Sequence, residues 1–143
     1  MPRLATRLAA AALLALSACR SAAPAPPAGG PALGPVEAQL VGRWTMERVL
    51  DRGDDVTGVH NPAGDRYVVL HADGSFESGG EPYGLNTGRW YFDPGYNELT
   101  LDSDLGDADD TFWIVEVEGD RMEWAGVRSE TARRFRIVSR RAG

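Results

Sequence analysis

The sequence has 143 residues, a formal charge of −6, a single cysteine and only arginine among its 15 basic residues. Setting aside the first 18 residues, which hold no acid but carry Arg3 and Arg7, leaves 125 residues with 13 Arg against 21 Asp plus Glu, a charge of −8. A chain of that size is one small domain, and its charge repels phosphate backbones, which excludes nucleic acid as an expected partner.

Arg3 and Arg7 precede a continuously apolar run from Leu8 to Leu16 that ends in small residues, the layout of an export signal. The run is about half of the ~20 residues needed to cross a bilayer, and no later segment is as apolar, so a spanning helix is not expected. Leu16, Ser17, Ala18 and Cys19 close the run, and together they closely resemble the lipobox of bacterial lipoproteins. That resemblance implies removal of residues 1–18, attachment of a diacylglycerol to the Cys19 thiol, and acylation of the new amine by a fatty acid such as palmitate. A lone cysteine in an exported chain has no intramolecular partner for a disulfide. Two or more acyl chains hold a protein stably on a membrane where a single one does not. The expected location is therefore the bacterial cell envelope, outside the cytoplasm, tethered rather than inserted. Arg20 follows Cys19 where an aspartate would signal retention, which in the best-known sorting rule implies the outer membrane. That rule varies between bacteria and leaves the membrane open.

Residues 19–36 form a linker rich in Pro, Ala and Gly that cannot supply a core. Its prolines favour an extended spacer of at most ~3.1 Å per residue. The folded domain is expected over 37–139, with 140–143 as a tail. One helical turn is expected at Val36 to Val41, before the first strand. Five- to eight-residue stretches of aromatic and β-branched character then alternate with Gly, Asp, Asn and Pro turns, the signature of an all-β domain. Strands are predicted at Arg43 to Leu50, Arg66 to His71, Ser75 to Ser78, Gly88 to Phe92, Glu98 to Asp102, Thr111 to Glu118, Arg121 to Gly126 and Ala132 to Val138. The turns at Asp73–Gly74, Asp93–Asn97 and Gly119–Asp120 suit tight hairpins, since Gly, Asn and Asp tolerate positive φ. Alternation points Trp44 and Met46, Val69, Phe76, Trp90 and Phe92, Leu99 and Leu101, Trp113, Val115 and Val117, Met122 and Trp124, and Phe135 and Ile137 inward. About eight such strands make a small antiparallel up-and-down barrel or a sandwich. Closure has the advantage of leaving no edge strand open to pairing.

Gly42-Arg43-Trp44 opening the first strand, Phe76 after Asp73-Gly74, Gly88-Arg89-Trp90 opening another strand and Glu98 to Leu101 after a turn resemble bacterial lipocalin-like lipoprotein domains. The likeness covers most of Leu40 to Val138. It implies a barrel whose floor is closed by Gly42 and Trp44, with an arginine late in the last strand lying over that indole. This arginine falls on Arg134 or Arg136, and alternation does not choose between them. A guanidinium stacked on an indole at a partly dry barrel end gains ~1 kcal/mol or more. The domain is shorter than a usual lipocalin, has no disulfide and carries none of the family's other motifs.

A lipocalin-like barrel can hold one small apolar ligand. The candidate ligand-binding residues are Tyr83, Trp90, Trp113, Met122 and Trp124, with Tyr83 and Tyr91 near the mouth and the glycine-rich loop Gly79 to Thr87, including Leu85, as its rim. Four tryptophans in so short a barrel also fill much of its volume at the ~0.74 density of protein interiors, which favours a packed interior with a shallow pocket at the open end. Asp102, Asp104, Asp107, Asp109 and Asp110 form an acidic segment that departs from the EF-hand order and reads as a solvated turn, so no metal is assigned. His60 and His71 are the only imidazoles, too few for a zinc site. Neither accompanies a recognisable nucleophile, and no phosphate-binding loop is present. The expected role is non-catalytic, without cofactors: binding a small hydrophobic ligand or lipid in the barrel pocket. The alternative is a filled barrel acting as a structural or protein-interaction module of the envelope.

Overall fold

The computed structural model describes residues 32–143. The predicted lipobox at Cys19, the export signal and most of the linker lie outside the described residues. The all-β expectation holds: the chain forms a closed antiparallel barrel of eight strands plus one short extra strand. β1 (Gly42–Asp51) is followed by the two-residue β2 (Asp54–Asp55), then β3 (Tyr67–Leu70), β4 (Ser75–Gly79), β5 (Asn86–Asp93), β6 (Glu98–Ser103), β7 (Thr111–Glu118), β8 (Arg121–Gly126) and β9 (Phe135–Arg141). From β3 onward each strand pairs with the next, β1 pairs with β3, and β9 returns to β1 to close the sheet. β2 folds back on the end of β1, outside the closed circuit. The last strand runs two residues past Ser139, so what the sequence suggested was a tail is in part barrel wall.

The predicted turns are built as their residues dictate. Gly74, Asn97 and Gly119 all take positive φ at hairpin corners. One facing prediction is corrected. Val68 and Leu70, rather than Val69, point inward, because Val68 pairs with Trp44 and Leu70 with Phe76, both interior residues. Three consecutive apolar residues carry no alternation from which the face could be chosen. A bulge between Met46 and Arg48 also shifts the register of β1. Beyond it Val49 lies opposite the inward Ile137 and is itself buried.

Three short helices decorate the barrel. α1 (Pro35–Leu40) starts with proline at its first turn, where a missing N–H costs nothing. It delivers the fully buried Leu40 to the barrel floor. α2 (Thr57–His60) and α3 (Glu130–Arg133) lie at the opposite end, in the β2–β3 and β8–β9 connections. The predicted final strand began three residues early, within α3, whose start is marked by Ser129 Oγ accepting the Ala132 N–H at 3.0 Å.

The floor carries the element that the family resemblance anticipated, with a different arginine. Trp44 is fully buried and donates its indole N–H to the Leu40 carbonyl at 2.8 Å. Arg141, opposite Trp44 in the β1–β9 ladder, lays its guanidinium 4.3 Å from the centre of the indole. Its Nη1 donates to the Val41 carbonyl at 2.6 Å and its Nη2 to that of Gln39. Gly42 has φ of +138°, and a Cβ there would stand 2.7 Å from Arg141 Nη1. The backbone conformation favours glycine, and a larger residue would also push the guanidinium from its place over the indole. Neither expected arginine does this work. Arg134 forms an ion pair with Asp51 at the other end of the β1–β9 seam, with its Nε 2.9 Å from Oδ1, and Arg136 is exposed on the outer face.

This geometry separates the arginines by experiment. Arg141→Ala removes a stacked cation and leaves two carbonyls without their donor, and is expected to lower unfolding stability by ~1–3 kcal/mol in chemical denaturation. Arg136→Ala should stay within ~0.5 kcal/mol of the parent.

Candidate functional site

The antiparallel meander sorts its connections between two ends. The turns after β3, β5 and β7 gather at the floor with α1. The connections after β1, β4, β6 and β8 surround the other end. The interior divides accordingly. Towards the floor, Leu40, Trp44, Leu70, Phe76, Leu99 and Met122 are packed to between 0 and 2% exposure. Above them the barrel is not filled, and a cavity of about 340 Å³ opens towards the second end, at the lower edge of the ~300–1,000 Å³ range of small-molecule sites.

The strands supply most of the cavity's apolar lining, together with the polar Ser78, Asn86, Thr111 and Ser139. Met46, Val68, Leu101, Trp113, Trp124 and Ile137 line it, each from a different strand, and Trp44 contributes to its base. Trp113 and Trp124 meet edge to face, with ring centres 6.0 Å apart and planes at 87°, an arrangement aromatic pairs prefer. Trp124 is held by its N–H, which donates to Ser139 Oγ at 2.7 Å, and that hydroxyl lies 3.3 Å from the Met122 carbonyl as its donor. A buried hydroxyl with both functions satisfied fixes one wall of the cavity.

Of the predicted binding residues, the cavity brings together Tyr83, Trp113 and Trp124. It does not include Met122, which is fully buried in the packed half. Trp90 is also a core residue there, donating its N–H to the His71 carbonyl at 2.8 Å. Tyr91 is corrected from mouth to outer wall: it is 52% exposed on β5, where it pairs with Thr100. The predicted rim loop does reach the opening through Tyr83 and Gly84, while Leu85 faces solvent. His71 is exposed, and its backbone, bonded to Ser75, Gly74 and Trp90, is what structures the floor turn.

The mouth is polar and includes residues that periodicity did not single out. Arg66, just before β3, lines the cavity from its rim. Its guanidinium lies 4.4 Å from the centre of the Tyr83 ring, and its Nη1 donates to the His60 carbonyl at 2.9 Å. His60 Nδ1 is hydrogen-bonded to the Tyr83 hydroxyl, and the imidazole meets Phe135 edge to face at 5.3 Å. Asn61 ties this cluster to the bulge of β1. It is 5% exposed, donates to the Met46 carbonyl at 3.0 Å and accepts the Arg66 N–H at 3.1 Å. Burial pushes the pKa of Arg66 below its ordinary value, opposed by the neighbouring Tyr83, yet an arginine side chain stays charged at any physiological pH.

On the facing side, the acidic segment folds into a loop and a short 3-10 turn, Asp107–Asp109. Two of its carboxylates serve the backbone and a neighbouring strand: Asp110 Oδ1 accepts the Ser103 N–H at 2.8 Å, and Asp104 Oδ2 accepts the Thr87 hydroxyl at 2.9 Å. Leu105 and Asp109 of this loop complete the rim. Among the described residues, no group of three or more His, Cys, Asp or Glu is arranged to hold a metal ion.

No protein-family model and no curated protein matches the chain. Its fold is similar to the crystal structure of a DUF4847 family protein from Bacteroides vulgatus, with a TM-score of 0.53 over 75% of this chain and 96% of that one. The two are 13% identical in sequence, so the likeness is one of fold.

Ser139 gives a direct test of the wall. Ser139→Ala leaves the Trp124 N–H without its acceptor, and is expected to destabilise the fold by ~1–3 kcal/mol. A shift in tryptophan emission in the folded variant would report the altered wall.

Proposed function

We propose that this protein is a lipid-anchored barrel of the bacterial envelope that binds a small hydrophobic molecule or lipid, without catalysis, in the cavity at its open end. The observation that carries this reading is the division of the interior, with a packed floor beneath an apolar cavity walled by Met46, Val68, Leu101, Trp113 and Trp124. Removing apolar ligand surface from water would supply the driving force, at ~25 cal/mol per Å² before the costs of association. Support for the anchor comes from the sequence alone, in the Leu16 to Cys19 lipobox behind a basic, apolar leader.

Two measurements test the two halves of the proposal. The delipidated domain, purified without detergent, is expected to show a saturable ligand-bound species by native mass spectrometry and saturable quenching or shift of tryptophan emission on titration with fatty acids. No bound species, together with capture of an envelope protein by the intact barrel, would favour the interaction-module reading instead. Cys19→Ala in the full chain is expected to move the protein from the membrane to the soluble fraction, and continued membrane partitioning would overturn the anchor.

A further inference from the structure

Arg66 is the one positive charge among the residues lining the cavity. The five ion pairs among the described residues engage Arg48, Arg121, Arg128, Arg134 and Arg140 with carboxylates, and none includes Arg66. Its position is nevertheless defined: the guanidinium lies over the Tyr83 ring, and the His60 carbonyl takes one of the five N–H donors. A half-buried cation without a counter-ion is costly, and the lowered pKa of Arg66 reflects that desolvation. The site is thus a largely apolar cup with a positioned guanidinium, free of any ion pair, at its lip.

We infer that the ligand is a single-chain amphiphile carrying a carboxylate, with its alkyl chain between Trp113 and Val68 and its headgroup on Arg66. This rests on the ligand-binding reading above and specifies its chemistry. A carboxylate matches the planar fork of a guanidinium, and charge-assisted pairs of this kind are about twice as strong as neutral hydrogen bonds. The modest cavity volume suits a medium-length chain. Asp109 on the facing rim is the local opposing charge, and the chain's excess of acid repels anions at long range. Selectivity must therefore come from contact with Arg66 rather than from steering.

The experiment compares decanoate, decanol and decylamine, three ligands with the same chain length and different heads, by titration of tryptophan emission and by calorimetry on the intact protein. Decanoate is expected to bind about tenfold more tightly than decanol, with decylamine the weakest. In Arg66→Gln, the preference for decanoate over decanol should be lost, the ratio of the two affinities falling from about ten to about one. Arg66→Lys should retain part of the preference, and Asp109→Asn should strengthen decanoate binding. Equal affinity of wild-type protein for decanoate and decanol, or a preference for decylamine, would overturn the assignment of Arg66 while leaving a hydrophobic cavity that binds ligand. Failure of all three to bind would instead overturn the binding reading itself. Because the headgroup comparison is made on wild-type protein, a variant that does not fold leaves it intact.

Discussion

Everything in this barrel depends on joining two strands that no turn connects. Hairpins fix the register of β3 to β9 locally, but β1 and β9 are separated by almost the whole domain, and their pairing has to be specified by side chains. Arg141 over Trp44 sets the register at the floor, with Gly42 leaving room for the guanidinium. Arg140 with Glu47 and Arg134 with Asp51 lie further along the same seam. Exposed ion pairs are each worth little, so the buried stack and its carbonyl bonds dominate the energetics. Without this closure β1 and β9 would both be edges, and the cavity would have no wall at Met46 and Ile137.

The closed sheet then serves two opposed demands. Packing at the floor, from Leu40 and Trp44 up to Met122 and Leu99, provides the apolar burial that a small domain needs to stay folded. Leaving the upper half open gives up some of that burial. The connections at this end replace packing with specific polar contacts: Asn61 to the β1 bulge, His60 to Tyr83, and Ser103 to Asp110. The result is a set of ordered loops around an unfilled space, with the Arg66 guanidinium where the cavity wall meets water.

Much of the architecture is legible in the sequence because its determinants are local. Strand stretches, positive-φ turns at Gly74, Asn97 and Gly119, and the alternation that turns Trp90, Trp113 and Trp124 inward are all set within a few residues. What could not be read depends on distance or on brevity. The choice of Arg141 over Arg134 or Arg136 follows from β1–β9 register, which no turn encodes. The facing of Val68, Val69 and Leu70 is silent because all three are apolar. α2 and α3, at four residues each, are too short for periodicity, although Ser129 is a capping signal that marks α3. The candidate site was legible in its aromatic walls but not in its depth: nothing local says that Trp90 and Met122 fall in the packed half while Trp113 and Trp124 fall above it. Arg66 belongs to no motif, and its role emerges only when the loops bearing His60 and Tyr83 converge on it.

The placement of α1 has a directional consequence. The backbone enters at the base, with Leu33 against the core and Leu40 beneath Trp44, and ten-residue β1, rising ~3.3 Å per residue, carries it about 30 Å toward the far rim. Ala32 to Gly34 thus lie at the underside, the end remote from the mouth of the cavity. The segment that leads into the barrel therefore meets it as a stem meets a goblet, at the foot, and leaves the bowl unobstructed.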